Sequence, residues 1–119
     1  MADLTLPASG ESRWCGWRLT CRSGTAEPLE RGGWQSWLPP GALSVGAPRS
    51  GERLRPLGGS GSRLVSRLLQ EAKVPRGERA SWPVLRCGEE AVWVPGVSRS
   101  ESCVPEPGLE AVRIDVERA

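Results

Sequence analysis

The sequence predicts an α+β fold, with mixed or antiparallel sheet layers and one main amphipathic helix packed against them. Three observations predict it. Apolar and polar residues alternate near both ends of the chain. Between them Leu64, Val65, Leu68, Leu69 and Ala72 recur at helical spacing. Two short β-like runs, Val84-Leu85-Arg86-Cys87 and Ala91-Val92-Trp93-Val94, then follow the helix. Strands, one helix and further strands in that order give a helix on a sheet.

Each element has its own signal. Leu4-Thr5-Leu6 has β character. In Trp14–Arg22, Cys15, Trp17, Leu19 and Cys21 alternate with Gly16, Arg18 and Thr20, the period of a half-buried strand. Ser23-Gly24-Thr25-Ala26-Glu27-Pro28 reads as a loop, and Trp34–Leu38 as a turn or short strand before the Pro39-Pro40-Gly41 break. Leu43-Ser44-Val45 is short and β-like. Residues 46–61 are rich in glycine and proline. Ser62 then offers an N-cap, Arg63 and Arg67 share one flank of the helix, and Arg67 can pair with Glu71. Pro75 ends the helix. The next two strands form a hairpin turning at Gly88-Glu89-Glu90, and Val112, Ile114 and Val116 alternate in a final strand.

Length and composition narrow the class. At 119 residues the chain is one compact unit, read as a β-rich lead-in over 1–48 followed by a more distinctive part over 49–119. A hydrophobic share of 38% and a charged share of 25% suit an ordinary soluble globular protein. No apolar run approaches the roughly 20 residues a membrane span needs. Met1-Ala2-Asp3-Leu4 does not begin a secretory signal, so a cytoplasmic protein is expected. The chain has no histidine, which removes Ser-His and Cys-His nucleophilic catalysis and the commonest near-neutral base. Cys15, Cys21, Cys87 and Cys103 form no Cys-x-x-Cys pair, so buried reduced thiols are expected ahead of a four-cysteine zinc site.

Charge is unevenly spread. Residues 49–86 carry nine cations against three carboxylates, while residues 87–119 carry three against seven. All but one of the cations in the basic block are arginine, a side chain suited to bidentate phosphate recognition. A solvated, arginine-rich surface from biased composition accounts for the block equally well. Trp14, Trp17, Trp34, Trp37, Trp82 and Trp93 could stack on nucleobases. With no phenylalanine or tyrosine present, core or half-buried packing is the favoured reading of these rings. Gly58-Gly59-Ser60-Gly61-Ser62 could seat a backbone phosphate or serve as a flexible lead into the helix, but it lacks the lysine of a P-loop.

Several of these pieces recur together in order: Gly51-Glu52-Arg53-Leu54-Arg55-Pro56-Leu57-Gly58, then Glu71-Ala72-Lys73-Val74-Pro75, Arg79, Pro83 and Val92-Trp93-Val94-Pro95-Gly96. The pattern, strongest over 49–100, closely resembles the C-terminal domain of bacterial tRNA(Ile)-lysidine synthase. In that family a GDRxRPLG turn precedes a lysine-rich helix, KVPxxxRDxxP and a hairpin ending VWVPG. Here Glu52 stands for the aspartate, and Ala80 for the acid after the elbow arginine. Leu64 and Ser66 stand where the family is basic, and Arg67 where it is usually acidic.

The resemblance implies a tRNA-binding and positioning domain of an ATP-dependent ligase that joins lysine to the wobble cytidine of a minor isoleucine tRNA. It implies that ATP and magnesium belong to a fused or separate PP-loop catalytic domain. The Ser-Gly-Gly-x-Asp-Ser signature of that domain is absent here, so this chain alone is expected to be non-catalytic and to hold no cofactor or metal. Arg53, Arg55, Arg63, Arg67, Lys73, Arg76 and Arg79 are the expected RNA contacts; Gly51, Pro56, Gly58, Pro75, Pro83 and Gly96 are expected to set backbone shape. A related domain occurs in the phenylalanyl-tRNA synthetase β chain, so the alternative is a protein-interaction module that completes a catalytic subunit without touching RNA. RNA binding predicts cations on one face; scaffolding predicts them dispersed and paired with Glu71, Glu78, Glu89 and Glu90.

Overall fold

A computed structural model describes residues 2–119. The chain opens with β1 (Leu4–Thr5), followed by β2 (Gly10–Trp14) and β3 (Trp17–Thr25). Cys15 and Gly16 make the turn between the last two, with φ of 49° and 84°. Positive φ at both central residues suits the right-handed twist of a two-residue hairpin. Cys15 is therefore exposed in a turn rather than buried in a strand, and the expected alternation holds only from Trp17 onward. The predicted loop at 23–28 also needs correction. β3 continues to Thr25 because β11 (Glu110–Arg118) pairs with it along its whole length, from Glu110 opposite Thr25 to Arg118 opposite Trp17.

The remaining strands are β4 (Gln35–Leu38), β5 (Leu43–Gly46), β6 (Arg53–Leu54), β7 (Arg63–Leu64), β8 (Val84–Cys87), β9 (Glu90–Val94) and β10 (Ser98–Arg99). They build two main sheets, in the orders β1-β5-β8-β9-β10 and β2-β3-β11-β4, and a small β6-β7 ribbon. Every strand pair is antiparallel. The predicted hairpin is present as β8-β9, with Gly88 in its turn at φ 63°.

The helix starts later than Ser62. Arg63 and Leu64 pair instead with Leu54 and Arg53, and the Val65 N–H donates to the Glu52 carbonyl at 2.9 Å. Strand partners thus satisfy backbone groups that a helix would leave open. The helix α1 (Val65–Glu71) has Leu64 at its N-cap position with no side-chain cap, while the Ser62 hydroxyl accepts from Arg53 Nε at 2.9 Å. Arg63 is consequently not on the helix flank, and it is Arg63, not Arg67, that pairs with Glu71. A single further turn, α2 (Arg76–Arg79), fills the elbow between helix and hairpin.

Val65, Leu68 and Leu69 of α1 join one core with Leu19, Leu38, Ile114 and Val116 of the four-stranded sheet and Val45, Val84, Leu85 and Trp93 of the five-stranded one. Ala91, Val92, Trp93 and Val94 are all buried, so β9 is covered on both faces and reads as a continuous apolar run. Among the described residues no helix is long and apolar enough to cross a membrane.

Two arginines lie fully inside. Arg86 makes a bidentate pair with Glu52, both bonds 2.7 Å, and donates to the Ala47 carbonyl at 2.7 Å. Arg99, 1% exposed, has no carboxylate partner among the described residues. Its guanidinium donates to Ser36 Oγ at 3.0 Å and to the carbonyls of Val92, Ser100, Ser102, Trp37 and Cys103 at 2.7–3.2 Å. Burial pushes Arg99 below the usual arginine value, to about 10, which still leaves it charged at neutral pH.

Replacing Arg99 with methionine should therefore orphan several buried carbonyls and destabilise the fold by about 3 kcal/mol or more. The exposed Arg13→Met change, by contrast, should stay within about 0.5 kcal/mol of wild type. Urea denaturation of both variants checks this. An Arg99→Met protein as stable as Arg13→Met would show that the buried cation contributes nothing.

Candidate nucleic-acid interface

The segment 65–83 carries the most informative geometry. Helix α1 ends in a Schellman arrangement: the Val74 N–H donates to the Leu69 carbonyl and the Lys73 N–H to the Gln70 carbonyl, both at 3.0 Å. The residue that must turn left-handed in this motif is usually glycine. Here it is Lys73, at φ 61°. Pro75 then stands at the N-cap position of α2, and its carbonyl accepts from the Glu78 N–H at 2.9 Å. Arg79 reaches back, donating from Nε to the Val74 carbonyl at 2.9 Å. The elbow is thus pinned from both ends, by a proline ring and by an arginine bonded to backbone.

The seven expected cations divide into two groups. Arg53 is held by the Ser62 side chain and carbonyl, Arg55 by Glu101 at 2.8 Å, Arg63 by Glu71 and Arg79 by the Val74 carbonyl. Arg67, Lys73 and Arg76 are exposed, with no ion-pair partner among the described residues. These three lie on α1, on its terminal turn and on α2. Outside the set, Arg49 bridges Asp3 and Glu89 at 2.6 and 2.9 Å, and Arg118 pairs with Glu78 at 2.6 Å.

The expected shape-setting residues have distinct tasks. Gly51 turns at φ 75° beside Glu52, whose N–H donates to the Arg49 carbonyl at 3.1 Å. Pro56 bridges to Ser100, placing the Pro-Leu-Gly turn beside β10. At Gly58, φ 74°, a Cβ would lie 2.6 Å from the Arg31 guanidinium. Pro83 is buried as the chain enters β8. At Gly96, φ 75°, a Cβ would overlap the Trp34 ring, and the Gly96 N–H donates to the Gly33 carbonyl at 2.6 Å. The glycine of the Val-Trp-Val-Pro-Gly run is therefore the seat of Trp34.

Most tryptophans do fill the core: Trp14, Trp17, Trp82 and Trp93 are buried. Trp34 does not, at 42% exposed. Of the cysteines, Cys21 is buried, and its thiol is raised by burial. The Cys103 thiol is pushed up to about 11 by burial and by its hydrogen bond with Cys87. The Gly58–Ser62 loop leads into β7 rather than into a helix N-terminus, so it offers a nucleotide phosphate no helix dipole. Among the described residues no group of three or more acids or cysteines could hold a metal ion.

Buried Arg99, buried Arg86 and exposed Trp34 escaped the sequence reading. For Arg86 a signal existed, since it stands inside an apolar strand with an acid in the preceding turn motif. Arg99 and Trp34 carry no local mark, because their surroundings come from distant strands.

A family model described as the TilS substrate C-terminal domain matches residues 43–116. The tRNA(Ile)-lysidine synthase of Symbiobacterium thermophilum is 45% identical over 80 residues, covering 66% of this chain and 17% of that protein. The synthase of Geobacillus kaustophilus is 29% identical over 92 residues, covering 71% of this chain and 20% of that protein. The chain thus spans a fifth or less of the length of these curated relatives. A crystal structure of a TILS C-terminal domain shares the fold, with a TM-score of 0.83 at 23% identity over 98% of this chain and 96% of that one. With the greater part of its length matched by the family model, the chain belongs to the TilS substrate C-terminal domain family of tRNA(Ile)-lysidine synthases.

Proposed function

We propose that this chain grips and positions tRNA for a cytoplasmic tRNA(Ile)-lysidine synthase. The ATP-dependent joining of lysine to the wobble cytidine would belong to a PP-loop domain outside this chain. The observation that carries the reading is Lys73. A side chain with a Cβ in the left-handed region costs about 1–2 kcal/mol relative to a right-handed one. Such strain clusters at functional sites, and of the three non-glycine residues with positive φ among the described residues, Cys15, Lys73 and Cys103, only Lys73 carries a charge. At Lys73 the strained position carries an exposed ammonium, and Arg67 on α1 and Arg76 on α2, also exposed, flank it in sequence, cations suited to phosphates. Ion pairs such as Arg55–Glu101 and Arg63–Glu71 are surface pairs worth about 1 kcal/mol at most, so a phosphate can displace the carboxylate.

The same pairs favour a second reading. Arg63 with Glu71 and Arg49 with Glu89 are the pairings expected of a module that completes a catalytic subunit without touching RNA. Salt separates the two. Contacts from Arg67, Lys73 and Arg76 alone should give a log–log salt slope of about −2 to −3 for tRNA binding. Recruitment of Arg53, Arg55 and Arg63 should steepen it to about −4 to −5. Arg76→Ala should shallow the slope by about one unit without changing preference among tRNAs. A flat salt response, or no binding at low ionic strength, selects the scaffolding module.

Lys73→Gly separates stability from binding. Glycine relieves the left-handed strain at the price of a more flexible unfolded chain, so the net change should be a gain of about 0.5–1 kcal/mol. Affinity for tRNA should fall and the salt slope should shallow. Urea denaturation beside a binding titration reads both, and a more stable variant that kept full affinity would remove Lys73 from the interface.

A further inference from the structure

Three tryptophans from distant parts of the chain meet in one open pocket of about 440 Å³, completed by Val116, Glu117 and Arg118. Trp34 stacks on Trp17, with centroids 5.6 Å apart and planes 19° apart. Trp82 meets Trp17 edge-on at 4.9 Å and Trp34 at 5.8 Å. Two walls are fixed before any ligand arrives: Trp17 Nε1 donates to the Ser81 carbonyl at 2.9 Å and Trp82 Nε1 to the Pro95 carbonyl at 3.0 Å. The cation-seeking face of Trp17 is taken, since the Arg118 guanidinium lies 4.0 Å from its centroid and is held by Glu78. What remains open is an apolar, aromatic slot beside the exposed Trp34.

The slot continues around the sheet edge. Trp34, Val116 and Glu117 also line a polar groove of about 330 Å³ with Thr20, Arg22, Arg113 and Asp115. In that groove Arg22 of β3 stands directly opposite Arg113 of β11. Like charges in facing positions destabilise a sheet. Asp115, 3.3 Å from Arg113, answers one of them, and Arg22 is exposed with no ion-pair partner among the described residues. Arg113 and Val116 point to opposite faces of β11, so the cation pair and the ring slot meet where Trp34 and Glu117 line both hollows.

We propose that this pocket accepts one unstacked nucleobase of the bound tRNA, stacked on Trp34, while Arg22 and Arg113 hold a neighbouring backbone phosphate. The inference rests on the tRNA reading above and deepens it. A planar ring joined to an anion satisfies both halves of the groove. A proline-rich peptide would fill the slot but leave the arginines unanswered, and an acidic peptide would do the reverse.

The test uses the full chain with a tRNA transcript and a short single-stranded oligoadenylate. Trp34→Ala should weaken tRNA binding about 5- to 100-fold while leaving the salt slope unchanged, the loss typical of one base–aromatic stack. Trp34→Phe should recover most of it, and Arg22→Ala should shallow the slope by about one unit. Oligoadenylate should quench the indole emission of wild type more than that of Trp34→Ala. If wild type binds tRNA but Trp34→Ala binds equally well, the pocket is excluded and the tRNA reading survives. If wild type binds no tRNA at low salt, both fall. Quenching by a proline-rich peptide and not by oligoadenylate also overturns the proposal, in favour of a protein partner.

Discussion

The buried guanidinium of Arg99 is the constraint on which the rest of the structure depends. It sits where β10 of one sheet approaches β4 of the other, and it bonds to both: Val92 on the first side, Ser36 and Trp37 on the second. An unpaired cation in an apolar interior is ordinarily prohibitive. Here six oxygen acceptors surround it, most of them carbonyls with negative ends pointing inward, so the charge is spread over dipoles rather than met by an acid. The neighbouring Cys103 thiol, raised to about 11, stays protonated at neutral pH and supplies no counter-charge. Lysine could not substitute, because three donors on a point charge cannot reach a planar ring of acceptors.

That one residue also organises the functional surface. Its backbone N–H donates to the Arg31 carbonyl at 2.8 Å, and its carbonyl accepts from the Leu57 N–H at 2.7 Å. The segment leading to Trp34 and the Pro-Leu-Gly turn are therefore docked along the same side of the strand, the one facing away from β9. Trp34 then rests on Gly96, and Trp82, at the far end of the elbow, bonds to Pro95 in the adjoining turn. The α1–α2 elbow and the tryptophan pocket thus share a rigid frame, although their residues are scattered from Trp17 to Arg118.

How much of this was legible follows from the range of each interaction. The β8-β9 hairpin, the alternation in β11 and the stop at Pro75 depend on neighbours in sequence, and those readings hold. The start of α1 was misplaced because Arg63 and Leu64 find partners nine and eleven residues upstream or so, in β6, and pairing outweighs the local capping preference of Ser62. Cys15 was misread for a smaller reason: a Cys-Gly turn leaves apolar periodicity intact while changing what the chain does. Arg79 shows the same limit in the candidate site. As a motif arginine it reads as a phosphate contact, and its Nε–H is committed to the Val74 carbonyl while its terminal nitrogens have no hydrogen-bond partner among the described residues. Trp34 is packed against Trp17, Trp82 and Gly96 yet stays 42% exposed, a half-buried position set by strands far from it in sequence.

Charge shows where sequence and space diverge most. The basic middle block and the acidic last third look like opposite poles along the chain. In three dimensions they fold onto each other: Arg49 with Glu89, Arg55 with Glu101 and Glu78 with Arg118 each join residues 40 or more positions apart. Arg49 and Arg55 are thereby answered within the protein before any partner arrives, whereas the Glu78–Arg118 pair takes an acid out of the basic block. What a polyanion would meet first is drawn from the remainder, which includes Arg67, Lys73 and Arg76 around the elbow, Arg31, and Arg22 beside Arg113 on the sheet. A count of arginines overstates the electrostatic pull of this surface, and the smaller set of unanswered cations is what a backbone bound as proposed would meet.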